Sequence, residues 1–306
     1  MEHSGFILLD KAVGKTSFQA LFPLKKIFGT KRVGHAGTLD LRASGLIIAG
    51  IGRATRLLPF LEAEDKSYSF RLHFGYETDT LEWDGELTQQ SETVKIERKD
   101  AENILPAFTG RIKQVPPDYS AVKVSGTRAS DLMLRGKEFE LPARSVEIYR
   151  LTLTEKLPAV TEGFSGKFFA EFDFECDCSK GTYIRSLGRD IGRALGSFAS
   201  VSQIRRTRIG QVSVKDAHPV ENITQANLIP IQALVPFPVL TLSAAELAVI
   251  RNGNWIPWKQ TVIFQESSIK NPENLVFVAG EDGQVTYLCR YEPGRILPRI
   301  FVGNGV

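Results

Sequence analysis

Residues 31–50 read KRVGHAGTLDLRASGLIIAG. One acid, Asp40, stands among three cations (Lys31, Arg32, Arg42) and four glycines, ahead of an apolar run, with His35 five residues upstream. An exposed loop has no need of a glycine every few residues, and a buried strand does not carry an acid beside its apolar run. The pattern describes a backbone bent tightly so that one carboxylate faces an anionic partner.

Working outward, GFILLDK (5–11) is a short apolar run that ends in a turn, so a strand. TSFQALFPLKKIFG (16–29) has a Thr16–Ser17 N-cap pair and apolar residues at 18, 21, 22, 27 and 28, which suit a helix. Pro23 is expected to kink or delay it. KSYSFRLHFGYETDT (66–80) alternates as a half-buried strand does, and parity puts Tyr68 with Phe70 and Leu72 on its apolar face. DAENILPAFTG (100–110) reads as a short helix closed by Gly110. PARSVEIYRLTLTEK (142–156) and GKFFAEFDFECDCSKG (166–181) are strand-like, whereas TYIRSLGRDIGRALG (182–196) is helical, with Ile184, Leu187, Ile191 and Leu195 on one stripe. Arg185 falls in the first turn of that helix, where the macrodipole disfavours a cation, so a compensating anion is expected. The class is α+β. Residues 217–238 carry four prolines and read as a wrapped connector, and short strands and turns follow from about residue 240. Two domains are expected, 1–238 and a small β domain at 239–306.

Composition limits the function. The chain has 306 residues, 42% hydrophobic and 24% charged, the range of a globular protein with an ample core. No apolar run reaches the roughly 18–20 residues that span a bilayer. The start MEHSGFILLDK lacks signal-peptide character, and three cysteines do not make a disulfide scaffold, so a cytoplasmic location is expected. Residues 1–60 hold nine Lys/Arg against three acids, a net of +6, so the remaining 246 residues sum to −3. That asymmetry, with Arg205, Arg206 and Arg208 in QIRRTRIG, points to a polyanionic partner. GKTS (14–17) is not a phosphate-binding loop, because position 9 is Leu where a glycine is required. GIGRAT (50–55) lacks the third glycine of a dinucleotide loop. Cys176 and Cys178 share strand parity with Phe172 and Phe174, which assigns them to the core, and the four histidines show no ligand spacing. No metal is expected.

Taken together these segments resemble the TruB family of transfer-RNA pseudouridine synthases. GFILLDKAVGKTS is similar to that family's LDKPxGxTS, with Ala12 in place of proline, and RVGHAGTLDLRASGLIIAGIGRATR to its GHxGTLDPxAxGxLxxxxGxATK/R signature. KSYSFRLHFGYETDT resembles the K-x-Y strand, VPPDYSAVKVSGTRASDLMLRG the YSAxK segment, CSKGTYIRSLGRDIGRALG the GTYIRSL helix, and IRRTRIG the LRRTRxG run. The tail is similar to a PUA-type RNA-binding β domain. The resemblance implies a pseudouridine synthase fold, with a mixed, mainly antiparallel central sheet and flanking helices, plus the small PUA-like domain.

It also implies the chemistry: uridine 55 in the T arm of tRNA is isomerised after its base is flipped out, with no cofactor. Asp40, the acid of GTLD, is implied as the catalyst, attacking covalently or removing a sugar proton. The resemblance further implies that His35 contacts the backbone of the flipped nucleotide, Tyr68 stacks on its base, Ile204 packs near it, and Arg185 pairs with the catalytic aspartate. By the same resemblance, Tyr119 and Lys123 are expected to line the RNA cleft. Two positions depart from the family: Leu41 follows the aspartate where proline is usual, and TDTLE puts Glu82 where a shorter acid pairs with the arginine. The resemblance implies a monomer that needs tRNA but no obligatory protein partner. Its rivals are a non-catalytic RNA-binding or RNA-folding protein, a guide-RNA-dependent relative and a base-releasing hydrolase.

Overall fold

A computed structural model of the protein describes residues 3–92, 96–154, 159–162, 168–257 and 273–303. The chain forms two compact units, one of Met1–Leu41, Gly45–Glu64 and Val212–Val306, the other of Arg42–Ser44 and Asp65–Gln211.

The first unit begins with β1 (Gly5–Lys11), α1 (Ser17–Ile27), β2 (Val33–His35) and β3 (Ala43–Ile51), whose first two residues belong to the second unit. β3 pairs antiparallel with β1 (Leu9 opposite Ile47) and with β2 (His35 opposite Ala49). Both long strands are buried nearly throughout, which is why they read as continuous apolar runs. Thr16 caps α1 in a reciprocal box with Gln19. The helix buries Ala20, Leu21, Leu24 and the adjoining Phe28, whereas Phe18 and Phe22 are 55% and 49% exposed. Pro23 neither delays nor ends it. The carbonyl that loses its partner to Pro23 is that of Gln19, on the exposed face where water serves it. The short helix α2 (Leu58–Glu62) follows β3.

The second unit holds β4 (Lys66–Phe74), the hairpin strands β5 (Tyr76–Thr78) and β6 (Leu87–Gln90), α3 (Arg98–Ile104), β7 (Gly110–Gln114), β8 (Lys123–Val124), β9 (Thr127–Arg128), α4 (Ala129–Leu134), β10 (Arg144–Leu153), β11 (Ala159–Glu162), β12 (Phe168–Cys178), α5 (Ile184–Ala194) and β13 (Ala199–Ile209). Its strands run in the order β13-β4-β12-β10-β7, every pair antiparallel, with β11 also on β12. Residues 166 and 167 of the expected strand lie outside the described residues. α3 starts two residues earlier than expected, and Gly110 opens β7 instead of closing the helix, because a 3₁₀ turn at Leu105–Phe108 intervenes. Cys176 and Cys178 are buried in the core face of β12. α5 lies flat on that face because Gly188 carries no side chain: a Cβ there would come within 2.6 Å of the Leu72 side chain.

The rest of the first unit comprises β14 (Val212–Ser213), α6 (Ile231–Leu234), β15 (Val239–Thr241), α7 (Ala244–Arg251), β16 (Ile256–Pro257), β17 (Leu275–Ala279), β18 (Val285–Glu292) and β19 (Arg295–Phe301). The proline-rich connector runs along β1: the Asp10 N–H donates to the His218 carbonyl (2.9 Å), and Phe6 and Ile229 exchange two backbone bonds. Beyond it, five strands in the order β15-β17-β18-β19-β16 cover a core of Leu242, Ile250, Ile256, Val276, Val278, Cys289 and Ile296. Arg53 donates to the Gly303 carbonyl (2.9 Å) and stacks 4.0 Å from the Phe301 ring centre, and Arg56 donates to the Phe301 carbonyl. Among the described residues no helix is long and apolar enough to cross a membrane.

Candidate active site

The opening stretch is a clamped loop. After β2, the Ala36 N–H donates to the Ile48 carbonyl (2.9 Å). The Leu39 N–H donates to the Ser17 hydroxyl (2.8 Å), which donates in turn to the Leu39 carbonyl (3.0 Å). The Leu41 carbonyl accepts from the Gly14 N–H (2.9 Å). Asp40 is therefore flanked on both sides by fixed peptides, and its side chain is half-buried, as is that of His35. The turn that supplies Gly14 is itself held from inside. Lys11, only 1% exposed, donates from Nζ to the carbonyls of Ala12 (3.0 Å) and Lys15 (2.7 Å). These backbone anchors hold the loop although Leu41 occupies the place where the family has proline.

In the second unit the residues singled out on β4, β13 and α5 share one face of the sheet. Parity held for Tyr68: Lys66, Phe70, Leu72 and Phe74 on its side of β4 are buried and Tyr68 itself is half-buried. Tyr68 lies opposite Cys176 of β12 and Arg206 of β13, and Phe70 lies opposite Phe174 and Ile204. Ile204 is 8% exposed, and the Ser44 hydroxyl reaches its carbonyl at 3.5 Å. Arg185 stands one turn before Gly188, which rests over Leu72 and Val201, so it lies toward the Tyr68 end of this face. It is 5% exposed and donates to the carbonyls of Thr80 (3.0 Å) and Tyr119 (2.9 Å). Carbonyl dipoles thus contribute to offsetting its place in the first helical turn.

The TDTLE segment meets Arg185 through the Thr80 carbonyl. Next to it, Leu81 adopts a left-handed conformation (φ 60°) although it is a leucine, a strained state that its surroundings fix. The Val201 N–H donates to the Leu81 carbonyl and the Trp83 N–H to the Val201 carbonyl, both at 2.9 Å, which splices the loop onto β13 around Glu82. Asp79 is committed to the same loop. Its Oδ1 accepts from the N–H groups of Thr80 and Glu86, each at 2.8 Å. Desolvation together with Asp79 pushes the Tyr119 phenol above its ordinary range. Arg185 and Tyr119 are thus joined directly, whereas Lys123 stands apart on the exposed two-residue strand β8, opposite Arg128.

Part of the basic charge is taken up within the protein. Of the basic residues before position 60, Arg42 pairs with Asp84, Lys11 is internal, and Arg53 and Arg56 hold β19. In the second cluster Arg206 is 1% exposed, and Arg208 donates to the Ser67 hydroxyl (2.8 Å) and the Gly210 carbonyl (2.6 Å). These cations serve the fold: Lys11 and Arg208 bond nearby carbonyls, and Arg53, Arg56 and Arg208 meet acceptors remote in sequence. The residues that sequence reasoning missed are Ser17, Lys11 and Arg206. Only Lys11 left a signal, a lysine closing an apolar strand just before a glycine turn. Among the described residues no three His, Cys, Asp or Glu side chains are grouped to hold a metal.

Residues 25–184, just over half of the chain, match the family model described as the TruB family pseudouridylate synthase (N terminal domain). The chain belongs to the TruB family. A TruB relative from Borreliella burgdorferi (strain ZS7), tRNA pseudouridine synthase B, is 38% identical over 250 residues, 82% of this chain and 85% of the relative. The protein of the same name from Bradyrhizobium diazoefficiens is 36% identical over 317 residues, 99% of this chain and 87% of its own length. Among solved structures, an H/ACA RNP bound to a substrate RNA containing 2′-deoxyuridine aligns over 98% of this chain and 85% of its own, with a TM-score of 0.69 at 19% identity. A Cbf5-Nop10-Gar1 complex aligns over 99% and 84%, with a TM-score of 0.65 at 23% identity. At those identities the structural likeness establishes the fold, that of the pseudouridine synthases, with the curled C-terminal sheet matching a PUA-like domain.

Proposed function

We propose that this TruB-family chain is a tRNA pseudouridine synthase that isomerises uridine 55 in the T arm. In this reaction the bond from uracil N1 to the ribose C1′ breaks, the base turns, a bond from C5 to C1′ forms, and the C5 hydrogen is replaced by one on N1. Atoms and charge balance within one nucleotide, so neither redox cofactor nor nucleotide hydrolysis enters. Asp40 is the carboxylate at the sugar, as attacking group or proton acceptor. Tyr68, half-buried at the end of an apolar face, stacks on the flipped base and assists proton transfer from C5. Ile204 packs beside the base, and His35 holds the backbone of the flipped nucleotide. Arg185 supplies the planar fork that serves the catalytic carboxylate, with Glu82 as its second acid. Tyr119 and Lys123 meet the RNA.

The observation that carries this reading is the double anchoring of the backbone around Asp40 by Ser17 and Gly14. A carboxylate that must meet one carbon atom gains from such fixation, because rate depends steeply on placement. We further read residues 1–238 as the catalytic domain and 239–306, which has a core of its own, as a PUA-like RNA-binding module. The enzyme acts on tRNA as a cytoplasmic monomer without an obligatory protein partner. The test is tritium release from 5-³H-uridine in a T-arm transcript. RNA binding without tritium release would replace the enzyme with an RNA-binding or RNA-folding protein, and free uracil would make it a hydrolase.

A further inference from the structure

The two aromatic side chains that α1 leaves outside sit in unusual company. Phe18 and Phe22, one turn apart, meet edge to face with ring centres 4.9 Å apart. The Lys25 ammonium lies 4.9 Å from one ring centre and 5.0 Å from the other. From Lys11 to Leu39 the sequence contains no acidic residue. Lys15, Lys26 and Lys31 are exposed there, and among the described residues none of them, nor Lys25, forms an ion pair. Val13 and Leu41, 53% and 46% exposed, extend the apolar surface toward the turn that the Gly14–Leu41 bond closes. This surface adjoins the Asp40 loop through Ser17, the residue before Phe18, which holds Leu39.

We propose that this face of α1 is an RNA-contact surface on which an unpaired nucleotide flanking the reacting uridine stacks against Phe18 and Phe22, its phosphates meeting Lys25 and Lys26. Charge complementarity decides the occupant. The centre of a protein-docking patch is depleted in lysine, whereas aromatic rings interleaved with unpaired cations are how single-stranded nucleic acid is held. Lys11, Arg42, Arg53 and Arg56 are engaged within the protein, so Lys25 and Lys26 of α1, with Lys15 and Lys31 beside it, are charge left over for a polyanion. The proposal rests on the reading that the substrate is RNA, and it adds a contact that the resemblance to the family did not supply.

The experiment uses the full chain, a fluorescently labelled T-arm stem-loop and the double variant Phe18→Ala/Phe22→Ala. Both rings are half-exposed, and alanine favours the helix, so the variant folds; circular dichroism checks this. Its Kd is expected to rise about 5- to 150-fold per stacked base lost. Phe18→Trp keeps a stacking face, so it binds as the wild type does, and RNA quenches the new indole fluorescence. An unchanged Kd in the alanine variant, or an indole indifferent to RNA, overturns the proposal. If the alanine variant also changes the sedimentation of the free protein, the face is a contact between copies and the proposal is likewise overturned. Tritium release by the wild type on the same RNA separates the two readings. Phenylalanine-dependent binding without release keeps the surface and sinks the enzyme, and release with no dependence on Phe18 or Phe22 does the reverse.

Discussion

Ser17→Ala isolates the fixation of Asp40 from everything else α1 does. The serine is 2% exposed and Leu39 is 5% exposed, so deleting the hydroxyl leaves one N–H and one carbonyl of Leu39 without their partner where water does not enter freely. Each stranded group costs about 1–3 kcal/mol, the carbonyl toward the low end, so the loop loses about 2–4 kcal/mol. The helix start does not share in this, because Thr16 and Gln19 cap it independently. Gly14 still holds Leu41, so the loop loosens without detaching. With about 1.4 kcal/mol to each factor of ten in rate, a partly transmitted loss lowers turnover by about 10- to 100-fold. The assay is single-turnover tritium release at saturating T-arm RNA, paired with urea unfolding. Thr16→Ala is the control: it costs about 0.5–2 kcal/mol of stability through the lost cap and leaves the rate nearly intact. Wild-type turnover in Ser17→Ala, or an equal drop in Thr16→Ala, would refute the idea that the serine acts by holding the catalytic loop.

Asp40→Asn keeps shape and removes charge, so it is expected to bind T-arm RNA normally and release no tritium in single turnover. Arg185→Lys keeps the charge but cannot reach the Thr80 and Tyr119 carbonyls together, and should lose most of the single-turnover rate. Gly85→Ala would bring a Cβ to 2.3 Å from the Thr80 hydroxyl and 2.6 Å from Asp79 Oδ1, so the TDTLE loop must shift, lowering the urea midpoint by the equivalent of about 1–3 kcal/mol. In Asp79→Asn the Tyr119 phenol should titrate at lower pH than in the wild type, because the carboxylate that helps retain its proton is gone; ultraviolet difference titration reads this. RNA affinity should fall with salt, and Lys26→Gln should flatten the log–log slope by about 0.7–0.9, whereas Arg53→Met should leave it alone because Arg53 is occupied at Gly303.

How far the sequence carried depended on how local each cause was. The tight bend of GHAGTLD was legible, because glycines and turn residues act within a few positions. What anchors it was not, since Ser17 and Leu39 are 22 residues apart and a serine after a helix cap announces only a helix. Tyr68 could be placed on its face because strand parity is an internal property of β4. Arg206 could not, because its burial follows from antiparallel pairing of β13 with β4, and an arginine in a basic run reads as solvated. In α1 the apolar residues fill more than one sector of the helix, so periodicity alone did not select the face of Ala20, Leu21 and Leu24 over that of Phe18 and Phe22. Even the placement of Arg185 in a first helical turn was readable, while the carbonyls that receive it come from segments 66 and 105 residues away.

The connector that runs along β1 ties the first strand to the clock of protein synthesis. Gly5–Lys11 leaves the ribosome more than 200 residues before its partners, so the backbone bonds of Phe6 and Asp10 wait for Ile229 and His218. At roughly 5–20 residues per second, that interval is on the order of 10–45 s. Asp65–Gln211, by contrast, contains both partners of every antiparallel pairing among β4, β7, β10, β11, β12 and β13, and has emerged before the connector does. The strands around Tyr68 and Arg185 can therefore pair with one another before the connector is made. Meanwhile the strand preceding the Asp40 loop stays paired with β3 alone, one backbone edge open to water or to a chaperone. A rare-codon pause between residues 211 and 229 would lengthen that exposure without altering a single contact of the finished protein.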